Sequence, residues 1–305
     1  MKKTIRIGTR DSELALWQAN TVKSKLENLG YPAQLVPVKS EGDLVLDKPL
    51  YEMGITGIFT KTLDVAMIKG VVDIAVHSMK DVPTQLPNGI VQTAVLERAS
   101  SEDILITKNE SEIDFEKPCT IASGSLRRQA QWLHRYPHHK VVDLRGNVNT
   151  RLQKLKDNNW QGAIFAKAGL ERINLLSENF TELNWMLPAP AQGAMVVVAL
   201  EKDTFSIEAT SKLNHTNSEI CTHIEREFLR TLEGGCTAPI GAFAEIIKDK
   251  ILFKGCLFSL DGQTKLEIEK SVSIENYKNF GKKCAEIVLQ NGGSELMASI
   301  KNKMG

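Results

Sequence analysis

The feature that most constrains the fold of this chain is a regular alternation of strand-like and helix-like segments. The first set comprises strand TIRIG at 4–8, a helix to about Leu29, strand AQLVPV at 33–38, a helix over 59–69 and strand VVDIAVHS at 71–78. Apolar residues at helical spacing indicate the first helix, and Gly30 with Pro32 ends it. This order predicts a parallel sheet covered by helices.

The alternation continues over the middle of the chain. The second set comprises strands at 103–107, 119–123, 140–144 and 162–166, and helices over 125–136, 147–157 and 167–176. In the helix over 125–136, Leu126, Ala130 and Leu133 are expected to face inwards. The pattern predicts a second α/β domain.

The last third changes character. A helix at 217–232 is followed by three strands, near 240–247, 250–259 and 264–272, with Asp261-Gly262 in the second turn as a hairpin signal. Two helices separated by Asn291-Gly292-Gly293 close the chain. This order predicts an α+β domain with a three-stranded antiparallel sheet.

Composition excludes several classes of protein. The net charge is +1, from 38 basic and 37 acidic residues, so a nucleic-acid partner is not expected and any basic site must be local. The apolar stretch AMVVVAL is too short to span a bilayer, and no secretory signal is expected at the N-terminus. Five cysteines without a CxxC predict neither a disulfide framework nor a zinc site, and favour the cytoplasm. No His, Asp or Glu spacing indicates a metal.

The stretch ASGSLRR at 122–128 is the most informative local motif. It takes a strand through a serine turn into a helix whose first turn contains Arg127 and Arg128. Because a helix N-terminus already carries partial positive charge, two arginines there are unfavourable unless an anion joins them. The motif therefore favours an anion pocket. The alternative is that both arginines face solvent and pair with distant acids.

The same design recurs after other predicted strands. Arg10 follows the first strand, Arg145-Gly146 follows strand 140–144 with Arg151 beyond it, and Arg172 lies in AKAGLER. In open α/β sheets the ligand lies beyond the carboxyl ends of the strands, so these arginines could converge on it. Arginine suits carboxylates or phosphates, and phosphate is less favoured because the chain has no P-loop. A ligand with several negative groups is predicted.

Two further motifs carry reactive groups. HSMKDVP at 77–83 places Ser78, Lys80 and Asp81 at a strand end, where Asp81 suits a substrate that develops positive charge; the alternative is a turn-capping Asp paired with Lys80. LEGGCTAPIG at 232–241 places Cys236 on a loop behind two glycines. Taken alone, this motif predicts that Cys236 is a small buried apolar residue.

Taken together, these motifs resemble the porphobilinogen deaminase family. The resemblance runs in order through IGTRDSELALWQA, GIFTKTLD, DIAVHSMKDVP, GSLRRQAQ, DLRGNVNTRL, AKAGLER, PAQGAM and LEGGCTAPIGA. It implies two α/β domains similar to the halves of a type II periplasmic binding protein, flanking a cleft, and a C-terminal α+β domain. The implied limits are 1–96 plus 194–213, then 97–193, then 214–305, with strand AMVVVAL returning to the first domain.

The resemblance also implies a reaction and a cofactor. The family joins four porphobilinogen molecules head to tail into hydroxymethylbilane for haem biosynthesis, and releases ammonia. Its dipyrromethane cofactor is attached by a thioether, which places the attachment at Cys236, and the catalytic aspartate is implied at Asp81. The implied cofactor-binding residues are Ser78, Lys80, Ser123, Ser125, Arg127, Arg128, Arg145 and Gly146. The implied substrate-binding residues are Arg10, Ser12, Gln18, Phe59, Arg151 and Arg172. A monomer is implied.

Two departures and two rival interpretations accompany the resemblance. Gly124 and Thr56 stand where many relatives have Ser and Lys. One rival is a non-catalytic two-domain binding protein for a polycarboxylate metabolite, with Cys236 buried and inert. The other is a thiol enzyme with Cys236 as a recycling nucleophile, for which His215 and His223 are the nearest bases in sequence.

Overall fold

The computed structural model describes residues 3–38, 60–108, 113–176, 179–232 and 238–304. These residues form two compact units. The first unit contains 3–38, 60–99 and 193–220, and the second contains 100–108, 113–176, 179–192, 221–232 and 238–304. No described helix is long and apolar enough to cross a bilayer.

Strands and helices alternate as the sequence predicts over most of the chain. The described strands are β1 Ile5–Thr9, β2 Ala33–Pro37, β3 Ile74–Ser78, β4 Ile90–Val95, β5 Asp103–Thr107, β6 Thr120–Ala122, β7 Lys140–Val142, β8 Gly162–Ala166, β9 Phe180–Glu182, β10 Met195–Leu200, β11 Ile240–Ile247, β12 Lys250–Phe258 and β13 Lys265–Ser273. The described helices are α1 Glu13–Asn28, α2 Lys61–Ile68, α3 Leu126–Arg135, α4 Val148–Asp157, α5 Lys167–Glu171, α6 Thr204–Ser211, α7 Thr216–Thr231, α8 Phe280–Val288 and α9 Ser294–Met304.

The first unit is built on a five-stranded sheet in the order β2-β1-β3-β10-β4. β1 pairs in parallel with β2 and β3, whereas β10 runs antiparallel to both β3 and β4. The parallel arrangement predicted from the first three strands is therefore confirmed, and β10 is the strand that runs against the others. β10 lies far from β3 and β4 in the sequence, and it runs in the opposite direction to both. Its return to this sheet confirms what the resemblance implied for AMVVVAL.

The second unit repeats this strand order in its own five-stranded sheet, β7-β6-β8-β5-β9. β6 pairs in parallel with β7 and β8, and β5 runs antiparallel to β8 and β9. The carboxyl ends of β6, β7 and β8 therefore lie at one edge of the sheet. The segments that follow β6 and β7 contain the predicted cofactor-binding residues of this unit, and Arg172, a predicted substrate-binding residue, follows β8 at the end of α5.

The third sheet also lies in the second unit and is antiparallel, in the order β11-β12-β13. The turn between β12 and β13 contains Gly262, with φ +74°, which matches its predicted role in a hairpin. This turn packs on α3: the His134 Nδ1 lies 2.7 Å from the Gly262 carbonyl oxygen. The three sheets confirm the predicted fold class, while the three-domain limits and the cleft remain predictions.

The buried face of α3 differs from the predicted one. Ala130 is buried as predicted, but Leu126 and Leu133 are only half-buried. Arg127, Arg128 and Trp132 are buried instead. The prediction from apolar spacing was wrong for these positions because the two arginines pair with a buried acid, Asp103 on β5. A charged side chain can occupy a core position when an opposite charge shares that position.

The first unit contains a buried carboxyl group that makes its stability depend on pH. Asp64 on α2 is 7% exposed. Burial raises the pKa of Asp64 to about 6, although a hydrogen bond with Thr60 opposes the rise. Because the folded pKa exceeds the unfolded value, this group favours folding at low pH, and that contribution is lost as the pH rises from about 4 to about 6.

We predict that Asp64→Asn removes this loss. Relative to wild type, the free energy of unfolding of the variant should rise by about 2–3 kcal/mol between pH 4 and pH 7, since one pKa unit corresponds to about 1.4 kcal/mol. Urea unfolding at a series of pH values measures the difference. Parallel pH profiles for the variant and the wild type would contradict the prediction.

Candidate active site

The first unit contains a pocket beyond the ends of β1 and β3. Its lining residues are Arg10, Ser12, Leu14, Ala15, Gln18, Val76, His77, Ser78 and Asp81. Five of these were candidates from the sequence, and the two strands bring them together although they come from two distant motifs. The parallel pairing of β1 with β3 is the cause, because it places both strand ends at the same edge.

Hydrogen bonds fix the polar wall of this pocket. The Gln18 side chain on α1 is buried, and its Nε2 donates to Ser78 Oγ at 2.9 Å. Ser12 is the N-cap of α1, but its hydroxyl caps no backbone N–H. Asp81 ends a short 3-10 turn, Met79–Asp81, which continues directly from β3. The site thus joins a helix N-terminus, one arginine and one carboxylate.

His77 on β3 also lines the pocket. It is 6% exposed, and its Nε2 has no hydrogen-bond partner among the described residues. Burial lowers the pKa of His77 to about 4, and the charge of Arg10 acts in the same direction. The imidazole is therefore neutral near pH 7, so the positive charge of this pocket comes from arginine.

The second unit places its candidate residues at the edge formed by β6, β7 and β8. Ser123 is fully buried, and its backbone N–H donates to the Val142 carbonyl oxygen at 2.8 Å, which joins the two strand ends. Ser125 is the N-cap of α3, and its hydroxyl caps no backbone N–H. Gly124 between them lies against the segment that follows β7: a Cβ built there would be 2.3 Å from the Leu144 carbonyl oxygen.

The arginines that follow β7 and β8 are half-buried or buried. Arg145 is 7% exposed, and burial lowers its pKa although Asp143 opposes the effect. Gly146 has φ +113°, and its carbonyl oxygen accepts a hydrogen bond from Arg151 Nε at 2.7 Å. Arg172, at the end of α5, has a pKa lowered to about 10, chiefly by burial. Buried guanidinium groups at one sheet edge favour an anionic ligand.

Arg127 and Arg128 do not face solvent, so that part of the alternative is wrong, but both pair with an acid distant in sequence, as the alternative expected. Arg127 Nη1 donates to Asp103 Oδ2 at 2.6 Å, and Arg128 donates to Asp103 Oδ1 through Nε at 3.0 Å and Nη2 at 2.7 Å. The anion that the sequence argument required is thus partly supplied by the protein. Burial disfavours ionised Asp103, but the two guanidinium groups outweigh it and hold its pKa well below the usual range.

Lys80 and the candidates on undescribed segments complete the set predicted from the sequence. Lys80 lies within the 3-10 turn beside Asp81 and is half-buried. Phe59, Thr56 and Cys236 lie outside the described residues. The other four cysteines, Cys119, Cys221, Cys256 and Cys284, are all buried. Burial raises the pKa of Cys256 to about 12 and that of Cys284 to about 11, which makes both poor nucleophiles.

Three polar residues of the second unit escaped the sequence argument: Asp103, Gln192 and Glu225. Each is buried and forms hydrogen bonds at the site or next to it. One signal was available, since Asp103 opens the apolar strand DILIT, where an acid is unusual unless paired. The described residues contain no group of three or more side chains placed to hold a metal ion.

The geometry defines a class of protein: a two-unit α/β protein in which each unit places arginine side chains beyond the ends of its parallel strands. Comparison with known proteins narrows this class. Residues 5–208 match the family model described as porphobilinogen deaminase, dipyromethane cofactor binding domain, and residues 219–290 match the porphobilinogen deaminase C-terminal domain.

Curated relatives agree over nearly the whole length. Porphobilinogen deaminase of Campylobacter hominis is 39% identical over 300 residues, covering 96% of this chain and 97% of the relative. The protein of the same name from Nitratiruptor sp. is 40% identical and covers 96% of each chain. A solved structure described as the probable amino-acid ABC transporter extracellular-binding protein of Bacillus subtilis aligns with a TM-score of 0.41 at 12% identity, over 70% of this chain and 90% of its own.

This chain therefore belongs to the porphobilinogen deaminase family. It is a transferase of tetrapyrrole biosynthesis, and its first two-thirds form the domain that binds a dipyrromethane cofactor.

The departure at Gly124 yields a prediction about this site. Because its Cβ would meet the backbone of Leu144, Gly124→Ser should lower the free energy of unfolding by about 1–3 kcal/mol or more. Urea unfolding measures the change. Gly89→Ala is the control: Gly89 has φ +82° but no atom within 4 Å of a built Cβ, so only backbone strain of about 1 kcal/mol is expected. Equal stability of Gly124→Ser and wild type would contradict the steric argument.

Proposed function

We propose how the residues of this chain divide the work of the family's reaction, in which four porphobilinogen molecules are joined head to tail into hydroxymethylbilane. The observation that carries the proposal is the single pocket that unites Asp81 with Arg10, Ser12, Gln18 and Ser78. Porphobilinogen carries an acetate and a propionate, so each unit added to the chain brings two negative charges. Arginines bind those negative charges, and the carboxylate of Asp81 takes part in the reaction.

The second unit provides side chains that fit the cofactor. Arg127 Nε is buried and has no acceptor among the described residues, although Nη1 of the same guanidinium is paired. An acidic group of a ligand would satisfy such a donor, and the N-terminus of α3 adds partial positive charge beside it. We assign the cofactor's carboxylates to Ser123, Ser125, Arg127, Arg128, Arg145 and Gly146 of this unit, together with Ser78 and Lys80 of the first unit. When bound, dipyrromethane supplies the pyrrole end to which the first unit is joined.

Asp81 acts where positive charge develops. The bond between the aminomethyl carbon and nitrogen of porphobilinogen breaks, and ammonia leaves with the electron pair. The remaining cation spreads over the pyrrole ring and its N–H. We place the Asp81 carboxylate at that N–H, where it stabilises the cation without being consumed. The methylene carbon then bonds to the free α-carbon of the terminal pyrrole of the bound chain, and that α-carbon loses its proton.

We propose that other residues bind the substrate's own carboxylates. We assign them to Arg10, Ser12 and Gln18 of the first unit and to Arg151 and Arg172 of the second, with Phe59 as an aromatic neighbour. Each charge-assisted hydrogen bond contributes about 1.5–3 kcal/mol. The lowered pKa of Arg172 supports its assignment, because a guanidinium that burial disfavours gains most from an added anion.

Cys236 is proposed as the attachment point. Its sulfur forms a thioether with the first cofactor unit once, during assembly, and holds it through later turnovers. The burial of Cys119, Cys221, Cys256 and Cys284 supports this choice. A non-catalytic binding protein would explain the arginines but not the carboxylate of Asp81 in the pocket.

We further propose a cytoplasmic monomer without a nucleic-acid partner, with domain limits 1–96 plus 194–213, 97–193 and 214–305.

Asp81→Asn tests the catalytic assignment. The variant should fold and carry the cofactor adduct, because the change is isosteric, but its turnover should fall about 100-fold or more, because the developing cation loses its counter-charge. Intact mass and a steady-state assay measure the two effects. Asp11→Asn, an exposed residue at the head of α1, is the matched control and should retain activity. Near-normal turnover of Asp81→Asn would refute the role.

Arg127→Leu tests the cofactor assignment. The variant should carry the adduct in only a small fraction of molecules, since it loses the guanidinium that faces the proposed ligand. Intact mass measures the fraction, and circular dichroism confirms the fold. Arg135→Leu is the control on the same helix: that guanidinium is exposed and lies over the Trp185 ring at 4.9 Å. A full adduct and normal turnover in Arg127→Leu would remove Arg127 from the cofactor site.

A further inference from the structure

The buried cluster around Asp103 pairs two guanidinium groups with one carboxylate. Asp103 is fully buried, and Arg127 and Arg128 are 4% and 5% exposed. One carboxylate faces two guanidinium groups, so the three side chains together carry one surplus positive charge. Unpaired charge is costly in a protein interior. A ligand carboxylate would balance the cluster.

The two arginines use their donors differently. Arg128 lies side-on to Asp103, with Nε and Nη2 both on Oδ1, and its Nη1 donates to the Ile164 carbonyl oxygen at 3.0 Å. Arg127 makes both of its hydrogen bonds to described residues through Nη1, to Asp103 and to the Leu187 carbonyl oxygen. The Nε–Nη2 edge of Arg127 therefore remains for a carboxylate, which guanidinium binds in this bidentate way.

A third side chain fixes the carboxylate that orients both arginines. Gln192 Nε2 donates to Asp103 Oδ1 at 2.8 Å and to the Ser101 carbonyl oxygen at 2.7 Å, so both amide hydrogens are used. Gln192 is 1% exposed and carries no charge. It holds Asp103 without changing the charge balance of the cluster.

Gln192 is in turn held by its own backbone neighbours. Ala191 has φ +63°, a left-handed conformation that is unfavourable for a residue with a side chain. Its N–H donates to Glu225 Oε2 at 2.6 Å, and Glu225 Oε1 accepts from the Ala244 N–H at 2.8 Å. Glu225 lies on α7, the helix that precedes LEGGC in the sequence. A continuous series of contacts thus runs from α7 to the arginines.

From these contacts we infer that Asp103 is a positioning residue, held by Gln192, that leaves one surplus charge and one open edge of Arg127 to receive a single carboxylate of the cofactor. The inference rests on the proposed function. It assigns Arg128 mainly to holding the cluster together and Arg127 to contact with the ligand. The residue at 192 must be neutral, because a second carboxylate there would cancel the surplus charge.

The test changes the charge of the cluster while keeping side-chain size. Apoprotein variants are incubated with porphobilinogen, intact mass gives the rate of adduct formation at several porphobilinogen concentrations, and thermal unfolding reports the fold. Gln192→Glu should stay folded but form the adduct about tenfold more slowly, the loss expected for one charge-assisted hydrogen bond. Gln153→Glu, on the exposed surface of α4, makes the same charge change and should load normally.

Two further variants, Asp103→Asn and the double variant Asp103→Asn with Gln192→Glu, distinguish an effect of the cluster's charge from an effect of its packing. Asp103→Asn should load slowly, and the double variant should load faster than either single variant, because it restores one carboxylate to the two arginines. A purely structural role predicts that the two losses multiply. Normal loading in Gln192→Glu, or a double variant no better than Asp103→Asn, overturns the inference. Gln192→Glu decides the question by itself if Asp103→Asn does not fold.

The inference and the proposed function fail in different ways. A full adduct in Arg127→Leu removes the cofactor-binding role itself. Loss of the adduct in Arg127→Leu together with normal loading in Gln192→Glu keeps that role and removes only the positioning role of Asp103.

Discussion

The contact between Asp103 and the two arginines of α3 is the interaction on which the second unit depends most. It ties β5, the antiparallel strand of the sheet, to the helix that follows β6. Removing one partner from such a buried cluster typically costs about 3–5 kcal/mol, because the remaining charges lose their counter-charge. The same contact sets the direction of both guanidinium groups, so stability and ligand binding share one set of atoms.

The arrangement around this contact follows from parallel pairing. Three adjacent parallel strands end at one edge, and their following turns deliver serines and arginines to it. The close approach of Gly124 to the Leu144 carbonyl shows how tightly two of these turns pack. A family position that often carries Ser is therefore Gly here for a steric reason, and the hydroxyl that this chain lacks could not be accommodated without moving the backbone.

Much of this could be read from sequence, because local rules suffice for strands that alternate with helices and for turns such as Asp261-Gly262. β4 and β10 were harder, since antiparallel pairing across about a hundred residues leaves no local pattern. The inward face of α3 was misjudged because apolar periodicity cannot recognise arginines that share a buried acid. Asp103, Gln192 and Glu225 act through contacts distant in sequence, so spacing alone could not associate them with the site.

The central claim is that Cys236 anchors a dipyrromethane whose carboxylates the arginines hold. Peptide mapping by mass spectrometry, on protein made with porphobilinogen and then unfolded and alkylated, tests it most directly. The account predicts one dipyrromethane on the Cys236 peptide and alkylation of Cys119, Cys221, Cys256 and Cys284 only after unfolding. An unmodified Cys236, or one that is rapidly alkylated in the native protein, would contradict the account.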